Sequence, residues 1–81
     1  MSKIEIIYKT LFKWLLIKGE IQEDTKLAEA CDFGDSYGFC FENEDRFSNV
    51  YWCVDKKTNK PYPFRPNEDI KKFSKRKVLN I

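Results

Sequence analysis

Between Lys3 and Lys18 the apolar positions recur every three or four residues. Ile4, Ile7, Tyr8, Leu11, Trp14 and Leu15 share one face of a helical wheel, Phe12 and Leu16 widen it, and Lys9 and Lys13 lie opposite. The spacing predicts an amphipathic helix over 3–18 that stops at Gly19, a residue suited to the left-handed turn that ends helices. Ile6 and Ile17 fall on its polar side, so they are either covered by a second element or exposed. A short second helix is expected over 23–31, with Leu27, Ala28 and Cys31 inward and Asp24 near its start. Residues 32–36 read as a turn on composition.

From Tyr37 the period changes to two. Tyr37, Phe39 and Phe41 point one way, and Gly38, Cys40 and Glu42 the other. Residues 49–55 repeat the alternation, with Val50, Trp52 and Val54 opposed to Tyr51, Cys53 and Asp55. Pairing Glu42 with Asn49 across a loop at 43–48 sets Phe41 against Val50 and Phe39 against Trp52, so both apolar sets share a face. Lys56-Lys57-Thr58-Asn59-Lys60 suits a tight turn with Asn59 in the left-handed position. Pairing Lys56 with Lys60 then places Tyr62 opposite Val54 and Phe64 opposite Trp52, on the same core face. Pro61 and Pro63 take the other parity with their missing N–H groups away from the ladder, which makes this third strand an edge.

Pro66-Asn67-Glu68-Asp69 predicts a final helix with Asn67 as its N-cap and acids in its first turn. Ile70 and Phe73 are its expected buried stripe. Lys75, Arg76 and Lys77 fall in its last turn, and Val78, Leu79 and Ile81 should tuck back onto the sheet. The fold expected is α+β: an N-terminal helix plus a short second helix, a three-stranded antiparallel meander, and a C-terminal helix.

The chain of 81 residues is one domain, too short to divide its core. With 42% hydrophobic and 35% charged residues, it matches neither a disordered tail nor a membrane protein. Histidine is absent, which removes the commonest general base and most zinc ligand sets. The three glycines are scattered at 19, 34 and 38, so no phosphate-cradling loop is present. Cys31, Cys40 and Cys53 have neither metal-site spacing nor a disulfide framework, and a Cys40–Cys53 bridge would need a register shift. They read as reduced thiols of a cytoplasmic protein. Lysines interrupt every N-terminal apolar run, so neither a signal peptide nor a membrane span is expected. No catalytic residue, cofactor or metal is predicted.

Charge supplies the candidate surfaces. The net of +2 conceals a −7 segment over residues 21–45 and a +7 segment over residues 46–81. Glu23, Asp24, Asp32, Asp35, Glu42, Glu44 and Asp45 form the candidate surface for a basic protein partner, such as a nuclease or toxin, through charge complementarity. Their spacing lacks the regularity of a calcium loop. The alternative is a nucleic-acid contact through Lys71, Lys72, Lys75, Arg76 and Lys77.

The run Tyr51-Trp52-Cys53-Val54-Asp55-Lys56-Lys57-Thr58-Asn59-Lys60, followed by a proline-rich strand and an acid-capped helix, resembles a pattern in small bacterial α+β domains. Several immunity-protein families of polymorphic toxin systems carry a strand ending in Val-Asp-Lys-x-Thr-Gly-Lys before a final helix. The likeness covers residues 50–73, and Asn59 stands where that pattern has Gly. The resemblance implies a non-catalytic cytoplasmic protein that binds and neutralises a toxin, and it transfers no functional residues.

Overall fold

The computed structural model describes residues 2–42 and 50–80. The predicted first helix forms as α1, Lys3–Lys18. The Ser2 hydroxyl accepts the Glu5 N–H at 3.4 Å, satisfying one of the orphan donors at the helix start. At the other end Gly19 adopts φ 76°, its N–H reaches the Leu16 carbonyl, and the Glu20 N–H reaches that of Leu15. These two bonds make a Schellman stop, which needs the left-handed residue that glycine supplies without strain. Leu11 and Leu15 are buried, whereas Ile6 and Ile17 are exposed, which settles the alternative the wheel left open.

The sheet has five antiparallel strands rather than three, in the order β4-β3-β2-β1-β5. They are β1 (Leu27–Asp32), β2 (Ser36–Phe41), β3 (Tyr51–Asp55), β4 (Pro61–Phe64) and β5 (Lys77–Leu79). The expected second helix over 23–31 is therefore mostly strand. Leu27-Ala28-Glu29-Ala30 favours a helix on propensity, but the segment lies between β2 and β5 and both pair with it. Tertiary pairing and the burial of Ala30 and Cys31 override a preference worth only tenths of a kcal/mol per residue.

Strands β2 and β3 pair in the register the alternation required: Phe39 faces Trp52 and Tyr37 faces Val54. The expected Glu42–Asn49 pair and loop 43–48 involve positions outside the described residues. The next hairpin differs by one residue. The Asp55 N–H donates to the Lys60 carbonyl, so four loop residues separate the paired ends instead of three. Asn59 takes the left-handed conformation as expected, with φ 59°. The extra residue slides β4 by one, so Val54 faces Pro61, Cys53 faces Tyr62 and Tyr51 faces Phe64. A one-residue slip moves every side chain to the opposite face. Tyr62 and Phe64 thus leave the α1 side, correcting the expectation that they join its core. Pro61 and Pro63 still lie on an edge strand, at non-hydrogen-bonded positions.

Both faces of the sheet are consequently covered. On the first, Leu11 and Leu15 pack on Ala30, Phe39 and Val54, with Tyr8, Trp14, Phe41, Trp52 and Leu79 around them. Trp14 meets Trp52 edge-on at 5.8 Å. On the second, Cys31, Tyr51, Cys53 and Phe64 form a smaller core with Phe33, Tyr62 and Phe73. Phe33 precedes a two-residue hairpin turn in which Gly34 has φ 96°, and its N–H donates to the Ser36 carbonyl. Its ring folds back over the row Cys31-Gly38-Cys53. These three small residues leave the depth a phenyl ring needs.

The C-terminal helix is shorter than expected. A 3-10 turn at Pro66–Glu68 precedes α2 (Ile70–Ser74), whose cap is Asp69, accepting the Lys72 N–H, and not Asn67. Proline at the first position suits the tight 3-10 turn, so the α-helix starts one turn later. Phe73 is half-buried, but Ile70 is 68% exposed and is no part of a buried stripe. Lys77 begins β5 instead of ending the helix. Leu79 does return to the sheet through β1, whereas Val78 pairs with Cys31 but leaves its side chain 59% exposed, and Ile81 lies outside the described residues. No helix of the described residues is long and apolar enough to cross a membrane.

Candidate functional site

The strand order divides the predicted acidic set between the two ends of the sheet. Asp32 closes β1 and Asp35 lies in the turn that follows, while Glu23, Asp24 and Glu42 gather at the other end. The Glu42 N–H donates to the Lys26 carbonyl at 2.8 Å, fixing the end of β2 beside the α1–β1 connection. Glu44 and Asp45 lie outside the described residues.

At the turn end, opposite charges that lie far apart in sequence meet. The Lys56 ammonium donates to both Asp32 carboxylate oxygens, at 2.9 and 3.0 Å. Burial alone would raise Asp32, but bonds from Lys56 and the Gly34 N–H, with the Lys56 charge, outweigh it and hold the carboxyl below its ordinary value. Lys72 lies 3.5 Å from Asp35 and 3.4 Å from the Tyr62 hydroxyl. Burial alone would lower Lys72, but these partners hold it above its ordinary value. Tyr62 in turn donates to the buried Ser36 hydroxyl at 2.9 Å.

Arg76 donates to Glu29 at 2.8 Å, and the Tyr51 O–H donates to the same carboxylate at 2.6 Å. The Arg76 bond is the main reason Glu29 titrates below its ordinary value. Desolvation dominates the neighbouring neutral groups: Tyr51 is pushed up, and the Cys31 and Cys53 thiols rise to about 12 and about 11. All three cysteines are free, and such thiols hold their protons and are poor nucleophiles.

The nucleic-acid set divides as the acidic set does. Lys72 and Arg76 are bound internally, whereas Lys71, Lys75 and Lys77 are exposed and form no ion pair among the described residues. The −7 and +7 segments thus meet across the second face and neutralise one another in part.

At the opposite end, a groove of about 910 Å³ opens between the α1–β1 connection and the ends of β2, β3 and β4. Phe41, Val50, Trp52 and Pro63 provide its apolar surface, and Glu20, Asp24 and Glu42 line it beside Lys26 and Arg65. Arg65 is drawn toward Glu68 at 3.9 Å. Glu20, Glu23, Asp24 and Glu42 are exposed and form no ion pair among the described residues.

Glu20, Trp52, Pro63 and Arg65 were not in the predicted set. The proline-bearing edge strand could have signalled the groove wall, since an edge leaves a boundary uncovered. Glu29 had no legible role because its segment read as a helix. Among the described residues, no group of three or more His, Cys, Asp or Glu is placed to hold a metal ion. No protein-family model, curated protein or solved structure matches this chain.

Proposed function

We propose that this chain is a small non-catalytic protein-binding domain of the immunity or inhibitor type, working in a reducing cytoplasm. The partner is a basic protein, such as a toxin or nuclease. One observation carries the reading. Glu29, Asp32 and Asp35 are engaged by internal cations, but Glu20, Glu23, Asp24 and Glu42 stand exposed at the other end. Three of these four border the groove that Phe41, Trp52 and Pro63 line. Exposed acids that outnumber Lys26 and Arg65 at the rim, beside the side chains of Phe41, Trp52 and Pro63, suit a basic partner: the charge steers encounter and the apolar side chains supply desolvated contact. The three free thiols agree with a reducing compartment.

The test is capture from nuclease-treated native lysate, followed by titration of the captured protein. Glu23→Lys/Asp24→Lys/Glu42→Lys should weaken binding at least tenfold with an unchanged circular dichroism spectrum, while Lys71→Glu/Lys75→Glu/Lys77→Glu should leave it intact. Full binding by the acidic-site variant would remove the site assignment. Capture that disappears with nuclease, or only in the lysine variant, would transfer the function to nucleic acid.

A further inference from the structure

Leu11 and Leu15 turn one side of α1 to the sheet, and Ile4, Ile7, Tyr8 and Trp14 pack beside them. The opposite side carries Lys3, Ile6, Lys9, Thr10, Lys13 and Ile17, all exposed. Ile6 and Ile17 are 53% and 78% exposed, which sets them among the few large apolar side chains that the described residues leave in solvent. About three helical turns separate them, roughly 16 Å along the axis, so both lie on one line of the helix. One exposed isoleucine needs no explanation, but two on one line with lysines around them make a face. The charge of that face has one sign. Lys3, Lys9, Lys13 and Lys18 stand against Glu5 alone in α1, and the wheel sets Glu5 at the margin, beside the half-buried Phe12. Lys18 leans over the Trp14 ring at 4.3 Å, which leaves Lys3, Lys9 and Lys13 on the outward side.

The residue types choose between an acidic protein and a lipid surface as the occupant. The buried centre of a protein interface is depleted in lysine, yet Lys9 and Lys13 lie between the two isoleucines. At a bilayer surface the same arrangement is favourable. Lysine stems run along the helix and hold their ammonium groups among anionic headgroups, while the isoleucines enter the boundary with the acyl chains. A lysine near a phosphatidylserine-rich surface strengthens binding about fivefold. We infer that α1 lies flat on an anionic phospholipid surface through Lys3, Ile6, Lys9, Lys13 and Ile17, with the sheet on the side away from the lipid. Such a helix rests on the bilayer and does not cross it, in keeping with the absence of a spanning helix among the described residues. None of the five residues lines the groove, so this contact is independent of the protein-binding reading.

Co-sedimentation of the whole chain with vesicles tests the contact. At low salt the chain should pellet with phosphatidylcholine vesicles containing about one third phosphatidylserine and stay in solution with pure phosphatidylcholine. Lys3→Gln/Lys13→Gln should weaken binding at least about tenfold. Ile6→Ser/Ile17→Ser should weaken it at least about fivefold through lost apolar burial. Lys71→Gln/Lys75→Gln/Lys77→Gln should change it less than about twofold, since those lysines lie on α2 and β5. No pelleting, equal pelleting with both vesicles, or binding lost only in the α2–β5 variant would overturn the inference. Full binding by Ile6→Ser/Ile17→Ser would do the same, because charge alone would then account for it. Binding to polyglutamate without binding to vesicles would give the face to an acidic protein. Self-association abolished by the isoleucine substitutions, again without vesicle binding, would give it to a second copy; either result overturns the lipid contact. The substituted side chains are exposed, so circular dichroism should be unchanged, and the wild-type preference between the two vesicles decides should a variant fail to fold.

Discussion

Adding one carbon at Gly38 tests the arrangement of the second face directly. A Cβ there would lie 2.3 Å from Phe33 Cε2, 3.1 Å from its Cδ2 and 3.2 Å from Cys31 Sγ. The ring cannot simply retreat. Tyr51 and Phe64 hold it edge-on at 5.9 and 5.3 Å, and the Lys72 ammonium lies 5.7 Å from its centre. Overpacking of this kind costs about 1–3 kcal/mol. Against it, alanine restricts the unfolded chain and returns about 0.4–1 kcal/mol. Gly38→Ala should therefore destabilise by about 1–2 kcal/mol, a fall of roughly 5–15 °C in Tm for a domain of this size. Urea and thermal unfolding followed by tryptophan fluorescence measure it. The same substitution in a Phe33→Ala background should be neutral or stabilising, giving a coupling of at least about 1 kcal/mol between the sites. Equal costs in both backgrounds, or a stabilised Gly38→Ala, would refute the packing of Phe33 over the Cys31-Gly38-Cys53 row.

Stability should fall at both extremes of pH. Glu29 and Asp32 titrate below their ordinary values of 4.5 and 3.8, so their stabilisation is complete above those values and is lost as pH falls through the lower folded ones. Arg76→Gln should flatten this acid limb in a urea-midpoint series, and an unaltered limb would assign it elsewhere. Cys31 and Cys53 lie above their ordinary 9.0, so their contribution is complete below 9.0 and declines as pH rises toward about 12 for Cys31 and about 11 for Cys53. Replacing both with alanine should reduce that alkaline loss. Asn59→Ala should cost roughly 1–2 kcal/mol because the left-handed conformation penalises a Cβ without local hydrogen bonding, whereas Asn59→Gly should cost little; equal effects in urea unfolding would refute that account.

The elements that depend on local rules were readable from the residues. The α1 wheel places Leu11 and Leu15 inward, and Gly19 stops the helix because no other residue takes φ 76° as easily. Alternation in Tyr37–Phe41 and Val50–Val54 specifies the Phe39–Trp52 register, since only one pairing keeps both apolar sets together. Paired prolines mark β4 as an edge for an equally local reason: they carry no N–H to donate.

What remained depends on neighbours the local pattern does not contain. Leu27–Asp32 is strand because two other strands pair with it, against the preference of its own Leu, Ala and Glu. One extra loop residue decides which face Tyr62 and Phe64 enter, and an aromatic alternation cannot choose between two faces when both are covered. The charge asymmetry was visible along the chain, but which acids remain free was not. Glu29 finds Arg76 47 positions away and Lys56 finds Asp32 24 away, through bonds that exist only once the strands are ordered. The sequence alone thus determined the helix, the central hairpin and the supply of charge. Only the tertiary structure decided that Glu29 and Asp35 lie paired with Arg76 and Lys72 across the second face and that Glu20, Asp24 and Glu42 collect beside the groove, because long-range Coulomb and packing terms act after the chain has closed on itself.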